Sequence, residues 1–81
     1  MKQPDREQIE QTFAIRGDLI TLGQLIKTLG LIGSGAEIKE YLAAEQVFVN
    51  GELDCRRGRK IRPGDAVLLS TGVLVRITSR G

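Results

Sequence analysis

The apolar pattern of this chain changes period near residue 46, and that change limits the folds open to it. Before it, Leu22, Leu25, Ile26 and Leu29 recur at i, i+3, i+4 and i+7, which puts them on one helical face. After it, Val47 and Val49 alternate with Phe48, and the runs "AVLLS" (66–70) and "VLVRI" (73–77) have the apolar, β-branched make-up of strands. Helices followed by strands imply an α+β fold, two short helices packed on a small, mainly antiparallel sheet.

Start and stop signals divide the chain further. Thr21 and Gln24 form a capping box at the start of the first helix, and Gly30 ends it. Ser34 and Glu37 form a second box that opens "GAEIKEYLAA" (35–44). There Ile38, Tyr41 and Leu42 face the core, while Lys39, about 100° further round the helix, faces solvent. Upstream, "TFAIR" (12–16) alternates like a short half-buried strand. Asn50-Gly51 suits a tight hairpin turn, Pro63-Gly64 a type II turn, and Thr71-Gly72 a second hairpin. One domain is expected over residues 11–78, after a flexible polar tail at 1–10 and before a short tail at 79–81.

A chain of 81 residues buries only roughly 60% of the surface its unfolded form exposes. An enclosed substrate pocket would use up much of so thin a core, whereas a surface that docks on a larger partner would not. Cys55 is the only cysteine and histidine is absent, which excludes an internal disulfide, a Cys/His zinc site and a His-assisted nucleophile. No acid–base pair or activated nucleophile can be assembled from this inventory. The expectation is a non-catalytic binding protein without metal, cofactor or small-molecule substrate; the sequence leaves its oligomeric state open, with a monomer favoured. The polar opening "MKQPDREQIEQ" and the lack of a membrane-length apolar run suggest a soluble cytoplasmic protein with no membrane partner.

Charge is unevenly shared. Residues 1–45 hold five Lys/Arg against seven Asp/Glu, net −2, and residues 46–81 hold seven against three, net +4. Within the second part Arg56, Arg57, Arg59, Lys60 and Arg62 occupy five of seven consecutive positions with no acid among them. Such crowding costs mutual repulsion that solubility alone does not require, and it suggests a polyanion-facing surface. Arginine forks match phosphate oxygens in pairs, and lysine adds a point charge. Ile61 is expected to turn inward, with Lys60 and Arg62 on the opposite side, and Gly58 to let the loop bend.

Ser34, Lys39, the Tyr41-Leu42 pair, "VFVNG" (47–51), Ile61 and "PGD" (63–65) together resemble the alpha-L RNA-binding motif, the S-four-type domain. The resemblance spans about residues 20–68 and is nearest to the small stand-alone bacterial members. It implies an RNA-binding surface made from the second helix, its N-terminal turn and the neighbouring loop, carried by Ser34, Lys39, Asn50, Arg56, Arg57, Arg59 and Lys60. Two positions depart from the pattern: Gly35 stands where many members have an arginine, and Glu45 where many have a glycine, so a different turn is expected there. Gly33 and Gly35 beside Ser34 would still let a phosphate approach the helix start closely.

The expected partner is structured RNA, ribosomal or transfer RNA, bound through phosphates and shape, on the ribosome or free of it. The competing reading is a protein-interaction adaptor whose basic loop docks an acidic partner. Phe48 has two candidate roles, stacking on an unpaired base or covering the second face of the sheet. Cys55, between Asp54 and Arg56, is either a small strand-end residue or a reactive thiol.

Overall fold

The computed structural model describes residues 9–32 and 37–80. Nine elements follow in order: β1 (Ile9–Ile15), β2 (Ile20–Thr21), α1 (Leu22–Thr28), α2 (Glu37–Ala44), β3 (Phe48–Val49), β4 (Glu52–Leu53), β5 (Lys60–Ile61), β6 (Ala66–Leu68) and β7 (Val73–Ser79). Five strands form one sheet in the order β1-β7-β6-β3-β4, and β2 pairs with β5 beside it. All pairings are antiparallel except β1 with β7. The expected α+β architecture, with two helices and a mainly antiparallel sheet, is the one found.

Register explains the core. Val49, Val67 and Val75 are successive partners across β3, β6 and β7, and all three are fully buried. They form one cluster with Leu22, Leu25 and Ile26 of α1, Ile38 and Leu42 of α2, and Ile61 of β5. The helical stripe and the period-2 stripe read from the sequence are therefore two sides of one core. The next row, Leu53, Phe48, Leu68 and Leu74, points to the other face, where Phe48 is half-buried and Leu53 is 59% exposed.

The first strand differs from its expected bounds. It starts at Ile9, inside the stretch read as tail, and ends at Ile15. β1 is an edge strand with solvent along one side, so polar residues such as Glu10 and Gln11 can occupy it at little cost. Glu10 also reaches Arg76 of β7 in an exposed ion pair at 3.2 Å. A polar composition therefore hid a strand.

At α1 the expected capping box is present in both directions. Gln24 N–H donates to Thr21 Oγ1 and Thr21 N–H to Gln24 Oε1, each at 3.2 Å. The second box, Ser34 with Glu37, lies outside the described residues on its Ser34 side. Glu45 does not adopt a left-handed backbone: among the described non-glycine residues only Asn50 has positive φ, at 52°. Its N–H closes the end of α2 on the Tyr41 carbonyl, and its carboxylate accepts a hydrogen bond from the Ser70 hydroxyl at 2.6 Å. The turn thus follows a path that a glycine is not needed to make.

The two turn signals prove to be partners. Asn50 Oδ1 accepts from Ala66 N–H at 2.9 Å and Asn50 Nδ2 donates to Asp65 Oδ1 at 3.1 Å, while Asn50 N–H donates to the Ala66 carbonyl at 2.8 Å. Asp65 Oδ2 in turn accepts from Arg62 N–H at 2.8 Å and so braces the Pro63-Gly64 turn, where Gly64 supplies the required positive φ of 100°. "VNG" and "PGD" are one unit that fixes the end of the sheet. Asn50→Ala removes both side-chain hydrogen bonds and puts a Cβ residue without local compensation in the left-handed region. We expect it to lower stability by about 2–3 kcal/mol, read as a lower urea midpoint with an unchanged m-value.

Candidate nucleic-acid interface

Arg56, Arg57 and Arg59 of the basic run lie in the loop between β4 and β5, Lys60 opens β5 and Arg62 follows it, and two backbone hydrogen bonds tie the loop to the start of α1. Leu22 N–H donates to the Arg59 carbonyl at 2.8 Å and Gly23 N–H to the Arg57 carbonyl at 2.9 Å. These donors belong to the first turn of the helix, where no intrahelical acceptor exists. The approach is close: a Cβ on Gly23 would lie 3.2 Å from Arg57 Cβ and 3.3 Å from both the Arg57 carbonyl and Ile38 Cδ1, so its neighbours would have to give by a few tenths of an ångström. Arg59 N–H closes the turn on the Arg56 carbonyl at 3.1 Å.

Side chains hold the loop from below. Asp54, the one buried charged residue among those described, accepts from Arg56 twice, with Nε to Oδ1 at 3.0 Å and Nη2 to Oδ2 at 2.9 Å. Arg59 Nη1 adds a bond to Oδ2 at 2.8 Å. Oδ1 also accepts from Arg56 N–H at 3.0 Å, closing a local turn between Asp54 and Arg56. Asp54 N–H is itself anchored on the Val47 carbonyl at 2.9 Å. The run is therefore not uncompensated: an acid two positions before its first arginine neutralises part of it.

The sequence-predicted residues separate on this geometry. Arg56, Arg59 and Lys60 meet around one open hollow together with Gly58, Arg62 and Asp65. Arg57 is exposed on the neighbouring side, bordering Thr21, Gly23, Gln24, Lys27 and Ile38. Among the described residues no acid lies within ion-pair distance of Arg57, Lys60 or Arg62. Ile61 is fully buried between exposed Lys60 and Arg62, as its alternation requires. Lys39 is exposed on α2, while Ser34 and Gly35 lie outside the described residues. The side chain of Asn50 is engaged by Asp65 and Ala66. Phe48 borders a different groove, with Ala44, Glu45, Leu68 and Ser70, to which no residue of the basic loop contributes. Cys55 is a free, exposed thiol.

Sequence reasoning gave neither Asp54 nor Arg62 a part in the site. The signal for Asp54 was the Asp-x-Arg spacing, which lets a carboxylate reach the backbone N–H and guanidinium two residues on. Hydrogen bonds from the Arg56 guanidinium hold the Asp54 carboxyl far below its ordinary value of 3.8, against burial, with the Arg56 N–H and Arg59 assisting. For Asp65 burial acts upward, but bonds from Arg62 N–H and the Asn50 amide, with the charges of Arg59 and Arg62, bring it below 3.8 as well.

Two helices on a mainly antiparallel sheet, with a cationic loop bonded to the first helix start, define a small α+β domain of the alpha-L type. Residues 13–78 match the family model for the S4 domain, and the chain belongs to that family. It is similar to the probable ribosome maturation protein RlbA of Bacillus subtilis (strain 168), with 46% identity over 54 residues, which make up 67% of this chain and 76% of that protein. No helix among the described residues is long and apolar enough to cross a membrane.

Both lowered carboxyl values fix the sign of a pH effect. A group whose folded pKa is depressed contributes stability that is complete above its unfolded value and lost as pH falls toward the folded one. The melting temperature should therefore hold between about pH 7 and 5 and fall below about pH 4. Asp54→Asn should make that acid decline visibly shallower, as followed by circular dichroism melts across the range.

Proposed function

We propose that this chain is a non-catalytic RNA-binding module that grips structured RNA through its phosphates. The observation that carries the reading is the hollow where Arg56, Arg59, Lys60 and Arg62 converge on a loop fixed to α1. Four cations around one opening, with only Asp65 among them, suit an anion, and guanidinium forks suit phosphate oxygens in particular. Exposed Arg57 borders exposed Lys27 of α1 and adds to the cationic surface on that side, and Lys39 is exposed on α2. Groups of this kind position a nucleic-acid backbone and read few base edges, so recognition rests on shape with weak sequence preference. Membership of the S4 domain family and the likeness to a probable ribosome maturation protein support ribosomal RNA, or RNA of similar structure such as transfer RNA, as the partner, and hence work at the ribosome in the cytoplasm.

Phe48 does not belong to this surface. Its row on the second face of the sheet and its groove away from the loop favour a covering role over base stacking.

The test is the salt dependence of binding to a structured ribosomal RNA fragment. About four phosphate contacts release about four counterions, so log K should fall against log salt with a slope of roughly −3 to −4. Lys60→Gln with Arg62→Gln removes two of the hollow's four cations, neither with an acidic ion-pair partner among the described residues, and should make the slope shallower by nearly two while leaving the melting temperature in place. An unchanged slope overturns this interface, and capture of an acidic protein with no RNA affinity would favour an adaptor.

A further inference from the structure

We infer that Asp54 is a positioning residue of the RNA interface: its buried carboxylate holds the guanidiniums of Arg56 and Arg59 in a fixed arrangement for phosphate. The inference rests on the RNA-binding reading above and adds a role for an acid that charge counting would assign to the wrong side.

The geometry is asymmetric. The Asp54 side chain is 6% exposed, whereas its two partners reach outward, with Arg56 71% and Arg59 26% exposed. The carboxylate takes Nε and Nη2 of Arg56 and Nη1 of Arg59. The remaining N–H groups of both forks stay available to phosphate oxygens, since each guanidinium carries more donors than Asp54 accepts. Asp54 is itself fixed to β3 through the Val47 carbonyl, and the loop backbone is fixed to α1 through the Arg57 and Arg59 carbonyls. Backbone and side chains are thus both held before any ligand arrives. A free arginine gives up side-chain freedom when it meets a phosphate, whereas one already held by a carboxylate has given it up during folding. Both arginines border the same hollow, so one acid sets two of its four cations.

This arrangement makes a prediction opposite in sign to simple electrostatics. Asp54→Asn removes one negative charge from beneath the loop, so charge counting expects tighter RNA binding and a steeper salt slope. Positioning expects weaker binding. Asn keeps an acceptor for the Arg56 N–H and so retains the local turn, but loses the charged grip on the forks. We expect Asp54→Asn to weaken binding to a structured ribosomal RNA fragment about tenfold, measured well below the melting temperature, with no steepening of the slope. In an Arg56→Gln background the same change should cost less than about twofold, because the residue through which Asp54 acts is already gone. Should Asp54→Asn not fold, Arg56→Lys carries the test: it keeps the charge but not the two-point contact, and should lose nearly as much affinity as Arg56→Gln.

Folded Asp54→Asn that binds as tightly as the natural protein or tighter, or Arg56→Lys with full affinity, overturns the positioning role while the RNA reading stands if Lys60→Gln with Arg62→Gln still weakens binding. A natural protein with no RNA affinity overturns both.

Discussion

Two backbone hydrogen bonds at the start of α1 join the two chemically different parts of this molecule. The helix has donors there that its own backbone cannot satisfy, and the basic loop supplies the Arg59 and Arg57 carbonyls. Each side needs the other: without the loop the first turn of α1 would present bare N–H groups, and without the helix a run of like charges would splay apart. The capping box between Thr21 and Gln24 completes the same turn from within the chain. Gly23 allows the contact, since any larger residue would push against the carbonyl it binds and against Ile38 of α2. Core packing, helix capping and loop placement therefore meet at one residue.

Charge is handled on the same scheme. Burial alone would make a carboxylate at position 54 costly, but two guanidiniums and a backbone N–H satisfy its oxygens. The exposed ends of those guanidiniums remain at the surface beside Lys60 and Arg62. A buried acid under a cationic rim lowers the repulsion within the loop without removing its outward character. Asp65 acts similarly from the other side, bracing the turn after β5 while bordering the hollow.

Much of the fold was legible because it is local. The stripe Leu22, Leu25, Ile26 lies buried as its spacing required, and Val47 and Val49 are buried with Phe48 on the other side. Asn50 and Gly51 both take positive φ, at 52° and 87°, as a hairpin of this type demands. What could not be read is contact between distant segments. Nothing in "NG" or in "PGD" alone says that the Asn50 amide will bind Asp65, because each signal is complete as a turn. The extra length of β1 and its parallel pairing were hidden for the same reason, since an edge strand tolerates polar residues and its neighbour lies at the far end of the sequence. The candidate site was legible as composition and not as geometry: counting cations from Arg56 onward left out the acid at 54 that binds two of them.

The parallel pairing of β1 with β7 also orders events in time. Ile9 aligns with Val73 and Ile15 with Ser79, so the first described strand has no neighbour until the last is available. Hairpins β3–β4 and β6–β7 and the two helices can form from nearby segments, whereas this pairing must close a loop containing nearly the whole domain. On a chain emerging from a ribosome, β1 stays an open edge while everything else assembles, and docks as the closing step. Backbone amides of β1 that gain protection after those of β6 would be the signature of that sequence.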